Sequence, residues 1–257
     1  NTKREDYQRY WDDIHPFVKY GCIRDEKFYD RVKKALIYKT TAGEYLTLEE
    51  YLNRNCPDDE NKSVYYASDD KRQAQMVKMY TDQGKDVILL NTLIDNNFIS
   101  FLEYADRDSK ISFKRVDAAA DGITEEGETS EDARNKLEGM FRKAMGDDTV
   151  EVQLKPFKDE GMIAMITVDE QSRRFTEMSS RWGGADMKLP EKRTLVLNDK
   201  HPLVAWLKEA DAAEDVTNTV CAQVADLAEM ARQPLVADRM VDFLKRSNEL
   251  LTMIIRH

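Results

Sequence analysis

A sixteen-residue acidic run, 117–132, constrains how this sequence can fold more than any other feature. It contains seven acidic residues, no basic residue, three consecutive alanines and two glycines. Such a segment has little apolar surface to bury, and its carboxylates repel one another. We therefore predict a solvated acidic linker at residues 117–130, which separates one domain at 1–116 from a second domain at 131–257.

Helix and strand patterns alternate in the first half of the sequence. Apolar residues at three- and four-residue spacing predict helices, and short apolar runs predict strands. The predicted helices cover 5–20, 26–38, 70–82 and 95–104, and the predicted strands cover 63–67, 86–90 and 110–116. Because parallel strands need a long crossover between them, this alternation predicts a small three-layer α/β domain with parallel pairing.

The second half of the sequence predicts an α+β domain that ends in a helical hairpin. The predicted helices cover 131–145, 171–181, 214–232 and 236–256, with a further helix beginning at Pro202, and the predicted strands cover 150–154, 162–168 and 195–197. Gly146 is expected to end the first of these helices, and Gln233-Pro234 joins the last two.

The terminal hairpin carries an apolar stripe that two helices cannot bury between themselves. Each large apolar side chain gains about 1.5–3 kcal/mol on burial, so the stripe requires a further surface, either in its own domain or in a second copy of the chain. A two-fold four-helix bundle is the simplest closed arrangement. The candidate dimerisation residues are Val220, Val224, Leu227, Met240, Phe243, Leu244, Leu251, Ile254 and Ile255.

A second apolar group lies around the predicted helix at 171–181. Phe175, Met178 and Trp182 fall on one helical face, and Met187 and Leu189 follow in a segment that contains glycine and proline. Methionine and tryptophan beside flexible residues suit adaptable binding. The same spacing also suits ordinary core packing, so the sequence leaves both interpretations open.

No catalytic, cofactor or metal site is recognisable in the sequence. Adjacent carboxylates such as Asp12-Asp13 do not face each other on a helix, and Cys22, Cys56 and Cys221 form no CxxC pair. No glycine-rich turn follows the predicted parallel strands, which counts against an enzyme that binds a small ligand at their ends. That enzyme remains the competing hypothesis.

The charge balance limits the classes of partner. The formal net charge of −10 argues against binding to nucleic acid or to an anionic membrane, because either would repel the chain. No apolar run approaches the roughly 18 residues of a membrane-spanning helix. We expect a cytoplasmic protein.

The first sixty-six residues resemble a known family. Their order is a helix with Tyr7, Tyr10, Trp11, Ile14 and Val18, then Gly21-Cys22, a second helix, a helical start at 46–52 and a buried strand at 64–66. This order is similar to the later middle domain of the heat-shock-protein-90 (Hsp90) chaperones, whose bacterial members are of the HtpG type.

The second half carries the same resemblance. In residues 189–204, a strand that ends in Leu197-Asn198 is followed by a helix that His201 opens. This stretch is similar to the C-terminal dimerisation domain of the Hsp90 chaperones, and the last helix, with Phe243 and Asn248, also fits.

The resemblance implies a fragment of an ATP-dependent chaperone that forms a homodimer through its terminal hairpin. It also implies that non-native client proteins bind at Phe175, Met178, Trp182, Met187 and Leu189. The family's ATP-binding motifs have no counterpart here, so we expect no enzyme activity and no cofactor in this chain, with ATP and Mg²⁺ confined to the parent protein. We also expect no partners among the helical-repeat cochaperones that eukaryotic members recruit through an acidic tail. A structural dimerisation adaptor without client binding is the second alternative.

Overall fold

The computed structural model describes residues 3–58, 60–118, 120, 122–127, 129–181, 193–209 and 214–255, with backbone alone for 177–181 and 254. The chain divides into two compact units, Asn1–Val116 and Asp117–His257.

The first unit is a mixed α/β structure with a parallel sheet. Its helices are α1 (Arg4–Arg24), α2 (Glu26–Val32), α3 (Leu48–Asn55), α4 (Ala74–Thr81) and α5 (Asp95–Ala105), and its strands are β1 (Ile37–Lys39), β2 (Tyr45–Thr47), β3 (Lys62–Ala67), β4 (Ile88–Leu89) and β5 (Ile111–Arg115). Strand β3 lies between β4 and β5 and pairs in parallel with both. The parallel pairing that the alternation predicts is confirmed.

Side-chain caps fix where the helices of this unit begin. Asp25 separates α1 from α2, and its carboxylate accepts hydrogen bonds from the backbone N–H groups of Lys27 and Phe28. Thr47 and Glu50 form a reciprocal capping box at the start of α3. Both caps satisfy backbone donors that have no partner inside the helix.

The predicted helix at 26–38 is too long. Helix α2 ends at Val32, a 3₁₀ turn covers Lys33–Ala35, and residues 37–39 form β1, which pairs antiparallel with β2. Gly43, at φ +86°, lies in the connecting turn. The apolar residues at 36–38 fit a helical spacing, but their burial beside β2 outweighs that local preference.

The second unit combines a three-stranded mixed sheet with helices. Its elements are α6 (Glu131–Met145), β6 (Glu151–Lys155), β7 (Ala164–Val168), α7 (Glu170–Arg181), β8 (Arg193–Asn198), α8 (Pro202–Glu209), α9 (Glu214–Met230) and α10 (Ala237–Ile255). Strand β8 lies in the centre, parallel to β6 and antiparallel to β7. Gly146 ends α6 at φ +62°, as predicted. The α+β character of this half is confirmed.

The predicted solvated linker at 117–130 is solvated only in part: residues 125–127 and 130 are exposed, whereas the other described residues of the segment are buried or partly buried. Ile123 is fully buried, and Asp117 and Ala120 are buried as well. The backbone of Thr124 forms a β-bridge with Phe157. The buried side chain of Ile123 therefore anchors this segment to the second unit. The average composition of residues 117–132 does not reveal the effect of this single residue.

Candidate interaction surfaces

The inner face of α9 belongs to the core of the second unit. Val224 is buried there together with Cys221, Ala225 and Ala228, and Val220 packs against the same cluster. Two of the candidate dimerisation residues, Val220 and Val224, therefore pack within a single copy of the chain.

A buried carboxylate attaches α10 to α9. Asp226 on α9 is buried, and its two oxygens accept hydrogen bonds from the guanidinium groups of Arg239 and Arg246 on α10. On the same side, Gln223 Nε2 donates to Ser247 Oγ at 2.7 Å. Sequence reasoning missed this contact, although an aspartate inside an apolar helix followed by two arginines seven residues apart is a recognisable signal.

The opposite face of α10 is apolar and turned to solvent. Leu244 is 54% exposed, Leu251 61% and Ile255 84%, and Val241 continues the same row. Leu227 on α9 is also exposed, whereas Met240 and Phe243 are partly buried. The side chain of Ile254 lies outside the described residues. The side of α10 that contacts α9 thus includes charged and polar groups. The large exposed apolar residues of α10 lie on its opposite side, away from α9.

The beginning of helix α7 contains two buried arginines that pair with a glutamate of the same helix. Arg173 and Arg174 are buried, and both donate hydrogen bonds to Glu170 Oε1, at 2.6 and 2.8 Å. Phe175, the next residue, is 40% exposed. Of the other candidate client-binding residues, the side chain of Met178 and all of Trp182, Met187 and Leu189 lie outside the described residues.

The first unit exposes an apolar row on α1 that sequence reasoning did not single out. Tyr10, Ile14, Phe17 and Tyr20 are exposed, while Trp11 is buried in the core. The helical spacing places Tyr10, Trp11 and Ile14 in one apolar group, and it does not indicate which member faces the interior.

Within the described part of the chain, no group of three or more His, Cys, Asp or Glu side chains is placed to hold a metal ion. The three cysteines are buried, and burial raises the pKa of Cys22 to about 11 and that of Cys221 to about 12. None of the helices in the described ranges has the length and apolar character needed to cross a membrane.

Asn198, at the end of β8, connects three segments of the second unit. Its side-chain oxygen accepts from the N–H of Phe157 at 3.0 Å and from that of Lys200 at 3.1 Å. Its amide nitrogen donates to the carbonyl of Met162 at 2.8 Å. Asn198 is fully buried, so the Leu-Asn sequence that supports the family resemblance has a structural role.

We expect Asn198→Ala to lower the free energy of unfolding of the second unit by about 3 kcal/mol, because buried backbone groups lose their partners. Thermal and urea unfolding followed by circular dichroism measure the loss. Asn135→Ala on the exposed surface of α6 is the control and should change stability by less than about 0.5 kcal/mol. Equal stability of the two variants would contradict the structural role.

A family model described as "Hsp90 protein" matches residues 1–255. The chain therefore belongs to the Hsp90 family of chaperones. Its relatives include proteins named "Chaperone protein HtpG". The one from Porphyromonas gingivalis is 30% identical over an alignment of 243 residues, gaps included, that covers 87% of this chain and 35% of that protein. The one from Pasteurella multocida is 26% identical over an alignment of 272 residues, gaps included, that covers 98% of this chain and 41% of that protein.

The chain spans about a third of the length of the first of these relatives. Among solved structures, the middle domain of a Plasmodium falciparum heat shock protein aligns with a TM-score of 0.36 at 17% identity, covering 45% of this chain and 49% of that chain.

Proposed function

We propose that this chain is the later middle and dimerisation part of an HtpG-type chaperone and that it forms a homodimer. The observation that carries the proposal is the outward apolar face of α10, with Leu244, Leu251 and Ile255 exposed. Membership of the Hsp90 family supports the same reading.

The dimer proposed here is a two-fold arrangement in which α10 of one copy packs against α9 and α10 of the other. The interface comprises Leu227, Leu244, Leu251, Ile254 and Ile255, with Met240 and Phe243 at its edge. Val220 and Val224 are left out because the core of each copy already uses them. A C₂ contact of this kind buries the same patch on both copies.

The chain would contribute to ATP-driven work without binding nucleotide itself. Nucleotide and Mg²⁺ chemistry is assigned to another domain of the parent protein. The role of this part is to hold two copies together and to present a surface to non-native client proteins.

The client surface that we propose contains Phe175, Met178, Trp182, Met187 and Leu189. Phe175 supports it, because an aromatic side chain that is 40% exposed, next to two buried arginines, is available to a partner. The competing adaptor function would need no exposed aromatic at this position.

Light scattering after gel filtration tests the dimer. The expected mass is about twice the 29.8 kDa of one chain, that is about 60 kDa, and it should fall on dilution. A mass near 30 kDa at about 100 μM would contradict the proposal.

We expect Phe175→Ser to reduce the chain's ability to suppress aggregation of an unfolded client by about half, with little change in melting temperature because the side chain is partly exposed. The control is Phe17→Ser on α1, which removes an aromatic residue that is 78% exposed in the first unit. If both variants suppress client aggregation equally poorly, or both suppress it as well as the native chain, α7 is not the client surface. A structural dimerisation adaptor without client binding is then favoured.

A further inference from the structure

A surface cavity of about 620 Å³ lies in the first unit between α1, α2 and β1. One part of its lining is apolar and consists of Tyr7, Val18, Phe28, Val32, Ala35 and Ile37. The remaining lining residues are Lys3, Arg4, Lys34 and Thr47. Small-molecule sites in proteins commonly occupy about 300–1,000 Å³ and combine apolar walls with a few polar groups.

The apolar wall of this cavity is fixed by close packing of α1 on α2. A Cβ atom at Gly21 would lie 2.9 Å from Cε1 of Phe28, so only glycine lets the Phe28 ring approach α1 this closely. Tyr7, Val18 and Val32 pack, like Phe28, against the core cluster of the unit. The wall therefore exists before any ligand binds.

The polar part of the lining is positively charged, in a chain whose net charge is −10. It contains three cations and no carboxylate. Arg4 is neutralised, because both of its Nη atoms contact Glu50 at 2.6 Å and the guanidinium lowers the pKa of that carboxyl to about 2. Among the described residues, the ion pair of Lys3 is an exposed one, with its Nζ 3.8 Å from Oδ2 of Asp6. Lys34 is exposed and has no ion pair among the described residues.

We propose that this cavity binds a small amphipathic carboxylate. The acyl or aryl body of the ligand lies against Phe28 and Val18, and its carboxylate lies at the mouth beside Lys34 and Lys3. A neutral apolar ligand would leave both cations unused, and a polar anion such as phosphate would leave the apolar wall in contact with water. Every lining residue belongs to the first unit, so the site shares no residue with the proposed dimer interface or the proposed client surface.

Titration of the whole chain with octanoate and with 4-phenylbutyrate, followed by ¹H–¹⁵N correlation spectra, tests the proposal. We expect saturable shifts of resonances in α1, α2 and β1, with a dissociation constant on the order of 1 mM or below. Octan-1-ol, which has the same apolar body without the charge, should bind about tenfold more weakly than octanoate. Equal affinity for the two would overturn the assignment, as would the absence of shifts with either acid up to about 10 mM.

Two variants with a matched control locate the ligand. Ala35 is exposed, so Ala35→Trp fills the mouth without entering the core, and it should weaken octanoate binding at least about tenfold. Lys34→Glu should weaken it about three- to fivefold, as expected for an exposed charge. Lys27→Glu makes the same charge change on the exposed surface of α2, outside the lining, and should leave affinity unchanged. Native affinity in Ala35→Trp, or equal weakening by the two lysine variants, would overturn the proposal.

Discussion

The double variant Leu244→Asp with Leu251→Asp is expected to be monomeric at concentrations at which the native chain forms the proposed dimer. Both residues lie on the outward face of α10, and in the proposed dimer each aspartate would place an unpaired carboxylate in an apolar seam. At a cost of about 2 kcal/mol for each of the four charges per dimer, the dissociation constant rises by several orders of magnitude. Sedimentation equilibrium measures the change.

The exposure of the two leucines makes this a test of association and not of folding. Because each is more than half exposed in a single copy, their replacement should leave the circular dichroism spectrum of the variant unchanged. Leu93→Asp with Phe17→Asp is the matched control, since these residues are 73% and 78% exposed in the first unit. A double α10 variant that remains dimeric at micromolar concentration would refute the hairpin interface.

Helix and strand order follows from the sequence because periodicity and local caps act within a few residues. Asp25, Thr47 and Gly146 mark helix ends by their own chemistry, so the elements next to them are predictable from sequence. The hairpin of β1 and β2 is different. Each of these strands has three residues, and their pairing depends on partners that a local pattern does not contain.

The spacing of apolar residues also does not indicate whether an apolar side chain packs in the core of its own unit or lies on the surface. Val224 and Leu251 belong to the same predicted stripe, yet Val224 lies in the core of its own unit and Leu251 is exposed. The reason is Asp226, whose contacts with Arg239 and Arg246 set the rotation of α10 about its axis. Ile123 gives a parallel case, because one buried side chain decides the position of a segment whose composition predicts solvation.

The residues of the proposed client surface are the least predictable from sequence, because an exposed apolar face and a core-facing one have the same helical spacing. Phe175 is partly exposed, whereas Arg173 and Arg174, which a hydropathy pattern places at the surface, are buried. The burial of Arg173 and Arg174 is explained only by the structure, in which both guanidinium groups donate hydrogen bonds to Glu170.

The largest expected loss of stability in the first unit comes from a buried ion pair that joins α1 to α5. Lys19 Nζ lies 2.5 Å from Asp95 Oδ1, and the two side chains are only 4% and 3% exposed. Asp95 Oδ2 also accepts from the backbone N–H and the hydroxyl of Thr92, at 2.7 and 2.8 Å. Burial lowers the pKa of Lys19, and the carboxylate of Asp95 opposes this shift.

Asp95→Asn is expected to lower the free energy of unfolding by about 3–5 kcal/mol, because it leaves the ammonium group of Lys19 buried without a counter-charge. The Oδ1 of asparagine can still accept from Thr92, but its Nδ2 then faces the Lys19 ammonium, so the variant removes the counter-charge and the acceptor of Lys19 together. Lys19→Met in the same chain should recover much of the stability, since a buried pair replaced by apolar packing is often nearly neutral. Urea unfolding of the two single variants and the double variant measures the coupling free energy. Additive losses in the double variant would show that the two residues stabilise the unit separately and that the contact between α1 and α5 does not depend on their charges.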